Sequence, residues 1–286
     1  MSRQDEVAAL LNSAMAHTAP KGSAADAPPT LHDPVRVGSV VLAVRDLEGV
    51  ERFYREVVGL HTVFAGGNSV SLGVDGTTLL TLQHRPDARP DDPGTAGLFH
   101  TAFLLPARAD LGAWLWHAGR RGVRLDGAAD HLVSEAMYLH DPEGNGVEIY
   151  ADRSRTAWTW RNGRVAMANR NPDFDGILSA ALQDWMGVPP GTRVGHVHLR
   201  VGDTAAARAF WTEALGLDVA AERDGAVFMS SGGYHHHVAC NTWNSAGAGP
   251  RDPGQAGLLA VLLQAENVTP RVLHDPWGTR IEVAAA

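Results

Sequence analysis

The sequence predicts an α+β fold built from four βαβββ units, the fourth truncated. Three observations carry this prediction. The segment Gly38 to Asp46 matches Gly195 to Asp203, and the match continues at the same lag through Phe53 and Tyr54 against Phe210 and Trp211, and Gly59 and Leu60 against Gly216 and Leu217. A second pair exists: Gly97 to Phe103 lies over Gly257 to Leu263, and Asp141, Pro142, Gly144 and Glu148 lie over Asp275, Pro276, Gly278 and Glu282. Each complete copy then reads alike, as an alternating strand, a capped helix and short strands between Gly-rich turns. Self-similarity at this spacing marks repeated supersecondary units.

Taken in order, residues 1–34 are rich in Ala, Pro and Asp and read as a flexible segment. Within it, Val7, Leu10, Leu11 and Met15 fall at helical spacing and suggest a short helix over Asp5 to Ala16. A first module follows over residues 35–150 and holds units one and two. In unit one, Val40, Leu42 and Val44 share one strand face, Asp46 signals a helix start and Gly59 its end. Unit two repeats the pattern from Gly97 to Glu148. Residues 151–192 form a linker with Trp158, Trp160 and a helical pattern over Ile177 to Met186, so it is expected to pack. The second module, residues 193–286, holds unit three, with Asp203 and Gly216 as helix signals, and a shortened unit four. Between its landmarks unit four is about 26 residues shorter than unit two, the length of a helix and a strand.

Composition narrows the function. The chain has 286 residues, suited to one large or two ordinary domains, with a formal net charge of −8. An acidic chain without a basic run is a poor candidate for nucleic acid or an anionic membrane surface. The one cysteine, Cys240, excludes an intrachain disulfide and a Cys-rich zinc site. No apolar run approaches the roughly 20 residues of a membrane helix, and no signal-peptide pattern is seen. The expectation is a cytoplasmic protein, with a homo-oligomer left open.

The histidines are the informative residues. Alternation puts His196 and His198 on one strand face, and His235 and His237 on one face of theirs. His100 sits mid-strand among apolar residues, and Glu148 sits in another strand-forming stretch. A lone strand histidine is usually a hydrogen-bonded core residue, and a lone strand carboxylate usually faces water. The repeat argues otherwise, because Ser39 stands where His196 stands and Ala260 where His100 stands. A packing role would recur in every unit. Imidazoles and a buried carboxylate converging on inward faces have a natural explanation in one divalent metal: Fe(II), Mn(II), Zn(II) or Ni(II).

The stretch from Ala129 to Glu148 resembles the extradiol dioxygenase signature of the vicinal oxygen chelate superfamily, which also contains glyoxalase and bleomycin-resistance-type proteins. The matching residues are His131, Met137, Tyr138, Asp141, Pro142, Gly144 and Glu148, with Ala129 a minor departure. With Gly195–His196 and the run from Gly232 to His237, residues 36 to 284 are similar to the two-module bacterial extradiol enzymes. The resemblance implies paired, barrel-like mixed sheets. It implies a facial triad of His100, Glu148 and His196 around Fe(II), acting on a small catechol-type aromatic with O2. It implies His237 as an acid/base or a fourth ligand, and His131 and Tyr138 as hydrogen-bonding catalytic residues. His198, His235 and Asn241 are expected at the substrate, whereas Trp243 is read as a packing residue rather than a substrate contact.

One departure bears on the architecture. The C-terminal copy, ending at Glu282, lacks the signature Tyr and upstream His. Pairing unit two with unit three gathers all the chemistry-bearing residues and leaves units one and four as a vacant pair. The competing pairing, three with four, would use His196, His237 and Glu282. Two other readings stay open. A glyoxalase-like lyase or isomerase would want a second carboxylate ligand. A non-catalytic small-molecule-binding protein would not need an intact ligand set.

Overall fold

The structure is a computed structural model that describes residues 32–161 and 163–286. The expected flexible segment and its helix over Asp5 to Ala16 fall almost wholly outside the described residues.

Unit one comprises β1 (Val35–Val44), α1 (Leu47–Phe53), β2 (His61–Gly66), β3 (Ser69–Val74) and β4 (Thr77–His84). Unit two comprises β5 (Gly97–Leu105), α2 (Arg108–Arg120), β6 (Gly127–Asp130), β7 (Ser134–His140) and β8 (Gly146–Asp152). After a short hairpin, β9 (Trp160–Arg161) with β10 (Arg164–Val165), and α3 (Phe174–Ser179), unit three follows. It comprises β11 (Arg193–Arg200), α4 (Thr204–Leu215), β12 (Asp218–Arg223), β13 (Ala226–Ser230) and β14 (Val238–Asn241). Unit four is only β15 (Gly257–Ala265), β16 (Arg271–His274) and β17 (Arg280–Ala285), so the missing residues are the helix and one strand.

The helix signals act as expected. The Asp46 carboxylate accepts from the Gly49 amide, and Asp203 from the amides of Ala205 and Ala206, which satisfies donors a helix start leaves open. Gly59 (φ +92°) and Gly216 (φ +66°) end the helical segments in a left-handed conformation that favours glycine.

Two mixed sheets result. One runs β16-β17-β15-β1-β4-β3-β2, the other β12-β13-β14-β11-β5-β8-β7-β6. Each joins two units through antiparallel first strands, β1 with β15 and β11 with β5. Unit two therefore pairs with unit three, and unit one with unit four, so each half of the chain contributes one unit to each sheet. Both junctions carry the same irregularities. Gly195 and Gly38 are the unpaired residues near the start of β11 and β1, and Phe99 and Leu259 those near the start of β5 and β15. A bulge of this kind re-aims the extra side chain.

One buried cluster spans both sheets, from Val40, Leu42 and Leu82 to Phe103, Ile149, Val197 and Leu199, with Trp114 and Trp211 added by helices. Alternation then sends His196 and His198 to the opposite face of β11. The 151–192 segment packs: Trp158 and Trp160 are buried with Val133, Val165 and Tyr234. Its helix is shorter and earlier than the predicted Ile177 to Met186. The Asp173 carboxylate caps it by accepting from the Gly176 amide. Beyond Ser179, Leu182 and Met186 are each 88% exposed, so these two residues of the helical pattern bury nothing that would hold a longer helix.

Candidate metal centre

The register of the second sheet assembles the site. His196 on β11 lies opposite Ala102 on β5, and Ala102 lies beside Glu148 on β8. His100, two residues before Ala102, shares its face. Glu148 Oε2 is 3.0 Å from both His100 Nε2 and His196 Nε2, and the two nitrogens are 3.3 Å apart. All three side chains are buried, and their ligand atoms lie within 4.8 Å of one another.

The electrostatics favour an ionised carboxylate among neutral imidazoles. Burial pushes the Glu148 carboxyl up, but His196 and His100 more than offset this and hold it well below the usual carboxylate range. Burial lowers His196 to about 4 against the opposing pull of Glu148. His198, His131 and His236 are likewise lowered, mainly by burial. Neutral imidazoles and a carboxylate are the protonation states that bind divalent metals.

His131, Tyr138, His198 and His235 line the same cavity as the cluster. Tyr138 pairs with Glu148 across β7 and β8, and its hydroxyl is 2.7 Å from His131 Nε2. The other ring nitrogen of His131 is 3.2 Å from the Ala168 carbonyl, which can only accept. His131 thus donates through Nδ1 and accepts the Tyr138 proton at Nε2. Asn241 is buried behind the cavity and donates to His198 Nε2 at 3.0 Å, so it orients that ring rather than touching the cavity.

His237 is not brought to the cluster. Its Nδ1 accepts from the Ser231 amide, and its Nε2 faces Asp33 at 3.9 Å. The cavity position is taken by His236, whose ring centroid lies 4.0 Å from that of His196. Residues 231–237 form a turn, with Gly232 and Gly233 at φ +60° and +72°, and β14 begins only at Val238. Two-residue alternation therefore does not apply to the three histidines. The adjacent glycines were the available signal that the strand pattern fails there.

Phe99, Phe228 and Trp243 form an aromatic wall around His198, with Phe99 4.9 Å from that ring and 5.3 Å from Trp243. Phe99 enters the cavity as the bulged residue of β5, which sequence spacing does not reveal. The competing ligand set is not assembled. Glu282 lies on the other sheet, paired with Arg280 at 2.7 Å and 39% exposed.

Comparison with known proteins agrees with this architecture. The model for the Glyoxalase/Bleomycin resistance protein/Dioxygenase superfamily matches residues 36–149 and 193–270. The catechol-2,3-dioxygenase of Bacillus subtilis (strain 168) is 38% identical over 235 residues, covering 80% of this chain and 82% of that protein. Biphenyl-2,3-diol 1,2-dioxygenase 2 of Rhodococcus globerulus is 30% identical over 145 residues, covering 49% of this chain and 76% of that one. The crystal structure of glyoxalase I from Zea mays shares the fold, with a TM-score of 0.53 and 14% identity over 89% of this chain and 93% of that chain. With four βαβββ-derived units in paired sheets and a family match over both halves, the chain belongs to the Glyoxalase/Bleomycin resistance protein/Dioxygenase superfamily, the vicinal oxygen chelate fold.

Proposed function

We propose that the chain is an extradiol ring-cleaving dioxygenase that takes a catechol-type diol and O2, with iron(II) held by His100, Glu148 and His196. The observation that carries this reading is the buried convergence of one carboxylate oxygen and two imidazole nitrogens, without a thiolate. That donor set fits iron(II) and leaves coordination positions open. It contains one carboxylate, where the lyase reading wants two. The relatives named for catechol and biphenyl-2,3-diol dioxygenation support the same substrate class.

Bound there, iron(II) supplies Lewis acidity toward the diol oxygens and a redox partner for dioxygen. The chain's own residues do the rest. The aromatic wall of Phe99, Phe228 and Trp243 holds the ring and excludes water. His236, rather than His237, takes a diol proton at its unprotonated nitrogen and later returns it. The Tyr138–His131 pair places a phenol oxygen beside Glu148, its own proton donated to His131, where it can accept a hydrogen bond from a hydroxyl of the diol. Overall, the ring bond next to the diol breaks and both atoms of O2 enter a ring-opened acid with an aldehyde.

The test is anaerobic loading with iron(II), then catechol and air, following the yellow ring-opened product. Product is expected from the wild type and Glu282→Ala. It is expected to be lost in His100→Ala, His196→Ala and Glu148→Ala. Product from the triad variants, or iron uptake without cleavage of any catechol in a panel, overturns the proposal.

A further inference from the structure

Behind the cluster lies a hydrogen-bonded network that the proposed chemistry does not itself use. His196 Nδ1 is 3.3 Å from the Tyr150 hydroxyl, which is 2.8 Å from the Tyr234 hydroxyl, which is 2.9 Å from Asp152 Oδ2. The other oxygen of Asp152 is 3.0 Å from His235 Nε2, and His235 Nδ1 is 2.8 Å from His236 Nδ1. Two chains of hydrogen bonds therefore start on one carboxylate and end on two cavity imidazoles.

The donor directions follow from Asp152, which as a carboxylate only accepts. Tyr234 must spend its one proton on Asp152, so Tyr150 donates to Tyr234 and His196 Nδ1 donates to Tyr150. Both hydroxyls are phenols with one proton each, and the chain of contacts leaves each only one direction in which to donate it. His196 Nε2 is then a lone pair, and it faces Glu148 Oε2 at 3.0 Å. Two acceptors so placed repel unless a proton or a metal cation lies between them. Along the second chain, His235 donates Nε2–H to Asp152 and accepts at Nδ1 from His236, which leaves His236 Nε2 as its basic nitrogen.

The repeat supplies an internal control. In the vacant pair, Ala284 and Ala286 stand where Tyr150 and Asp152 stand, so that pair lacks the phenol and the carboxylate of the network. The backbone accommodates it as well. At the β11 bulge, a Cβ on Gly195 would lie 1.8 Å from the Tyr150 hydroxyl oxygen.

We propose that Asp152 is a positioning residue that sets two tautomers at once, that of His196 through Tyr234 and Tyr150, and that of His236 through His235. The inference rests on reading His196 as a metal ligand and His236 as the base. The experiment measures two quantities in Asp152→Asn, Tyr234→Phe and His235→Gln. One is the affinity for cobalt(II), titrated without oxygen and read by its visible absorption. The other is kcat of the iron-loaded protein with catechol. Outer partners of ligating histidines typically contribute about 10–100-fold in metal affinity. Asp152→Asn is expected to weaken cobalt binding by about that factor and to lower kcat about tenfold or more.

The branches should separate. Tyr234→Phe loses more cobalt affinity than His235→Gln, and His235→Gln loses more kcat than Tyr234→Phe. Equal cobalt affinity and kcat in Asp152→Asn and wild type overturn the proposal while leaving the ligand assignment standing, as does an identical pattern in the two branch variants. No cobalt uptake by the wild type overturns the ligand assignment and this inference together. Should Asp152→Asn fail to fold, the two branch variants decide alone.

Discussion

Gly195→Ala tests the packing that joins the bulge to the site. The new Cβ would lie 1.8 Å from the Tyr150 hydroxyl oxygen, 2.7 Å from its ring carbon Cζ and 3.0 Å from Leu104 Cβ. Tyr150 is fully buried and Leu104 nearly so, so neither can swing out into solvent to make room. Overpacking of this kind costs about 1–3 kcal/mol. Displacing the phenol also breaks its bond to Tyr234, about 1 kcal/mol more. A total near 2–4 kcal/mol lowers the melting temperature by about 3–7 °C for a chain of 286 residues.

The equivalent residue of the vacant pair is the control. A Cβ on Gly38 would meet the flexible Gln264 side chain at 3.3 Å, so Gly38→Ala should cost under about 1 kcal/mol. Calorimetric melting of both variants is the assay. A fall in Gly195→Ala no larger than in Gly38→Ala would refute the reasoning, because the two bulges would then tolerate a side chain equally.

Three further outcomes are expected. For the metal-free protein, His196 folds with a pKa of about 4, below its unfolded value of about 6.5, so the unfolded chain binds the proton first as pH falls. Stability contributed by the neutral ring is full above about pH 6.5 and drops by on the order of 3 kcal/mol down to pH 4. The depressed Glu148 carboxyl adds a loss of the same sign at lower pH; urea unfolding at pH 7 and 4.5 should show a smaller drop in His196→Ala. Asp91 sits between the nearly buried Arg200 and Arg251, so Asp91→Ala leaves two cations unpaired and should cost about 3–5 kcal/mol, read as a lower urea midpoint. Cobalt(II) at a hundredfold excess over its dissociation constant should stabilise the wild type by about 2.7 kcal/mol and leave the melting of Glu148→Gln unmoved.

Much of this architecture is legible in the residues. The lags between repeats locate every unit, and the shrinking lag marks what unit four lacks. Ser39 and Ala260, standing where His196 and His100 stand, reveal which units share the site, because a packing histidine would recur. The remainder is hidden for physical reasons. His236 instead of His237 reaches the cavity because Gly232 and Gly233 turn the chain, and strand periodicity has no meaning in a turn. Phe99 enters the cavity only because β5 bulges opposite His198 and Leu199, and an insertion in register leaves no trace in composition. Asn241 shares a strand face with other inward residues, but burial sets it behind His198. Asp152 and its phenols look like ordinary strand and turn residues until the register brings β8 and the 231–237 turn together.

If units two and three jointly build one metal centre, the chain must hold one ion through residues of both. Iron stoichiometry after anaerobic loading and desalting tests it most directly. About one iron per chain is expected in wild type and Glu282→Ala, and none in Glu148→Gln. Iron retained in full by a folded Glu148→Gln, or lost in Glu282→Ala, would contradict it.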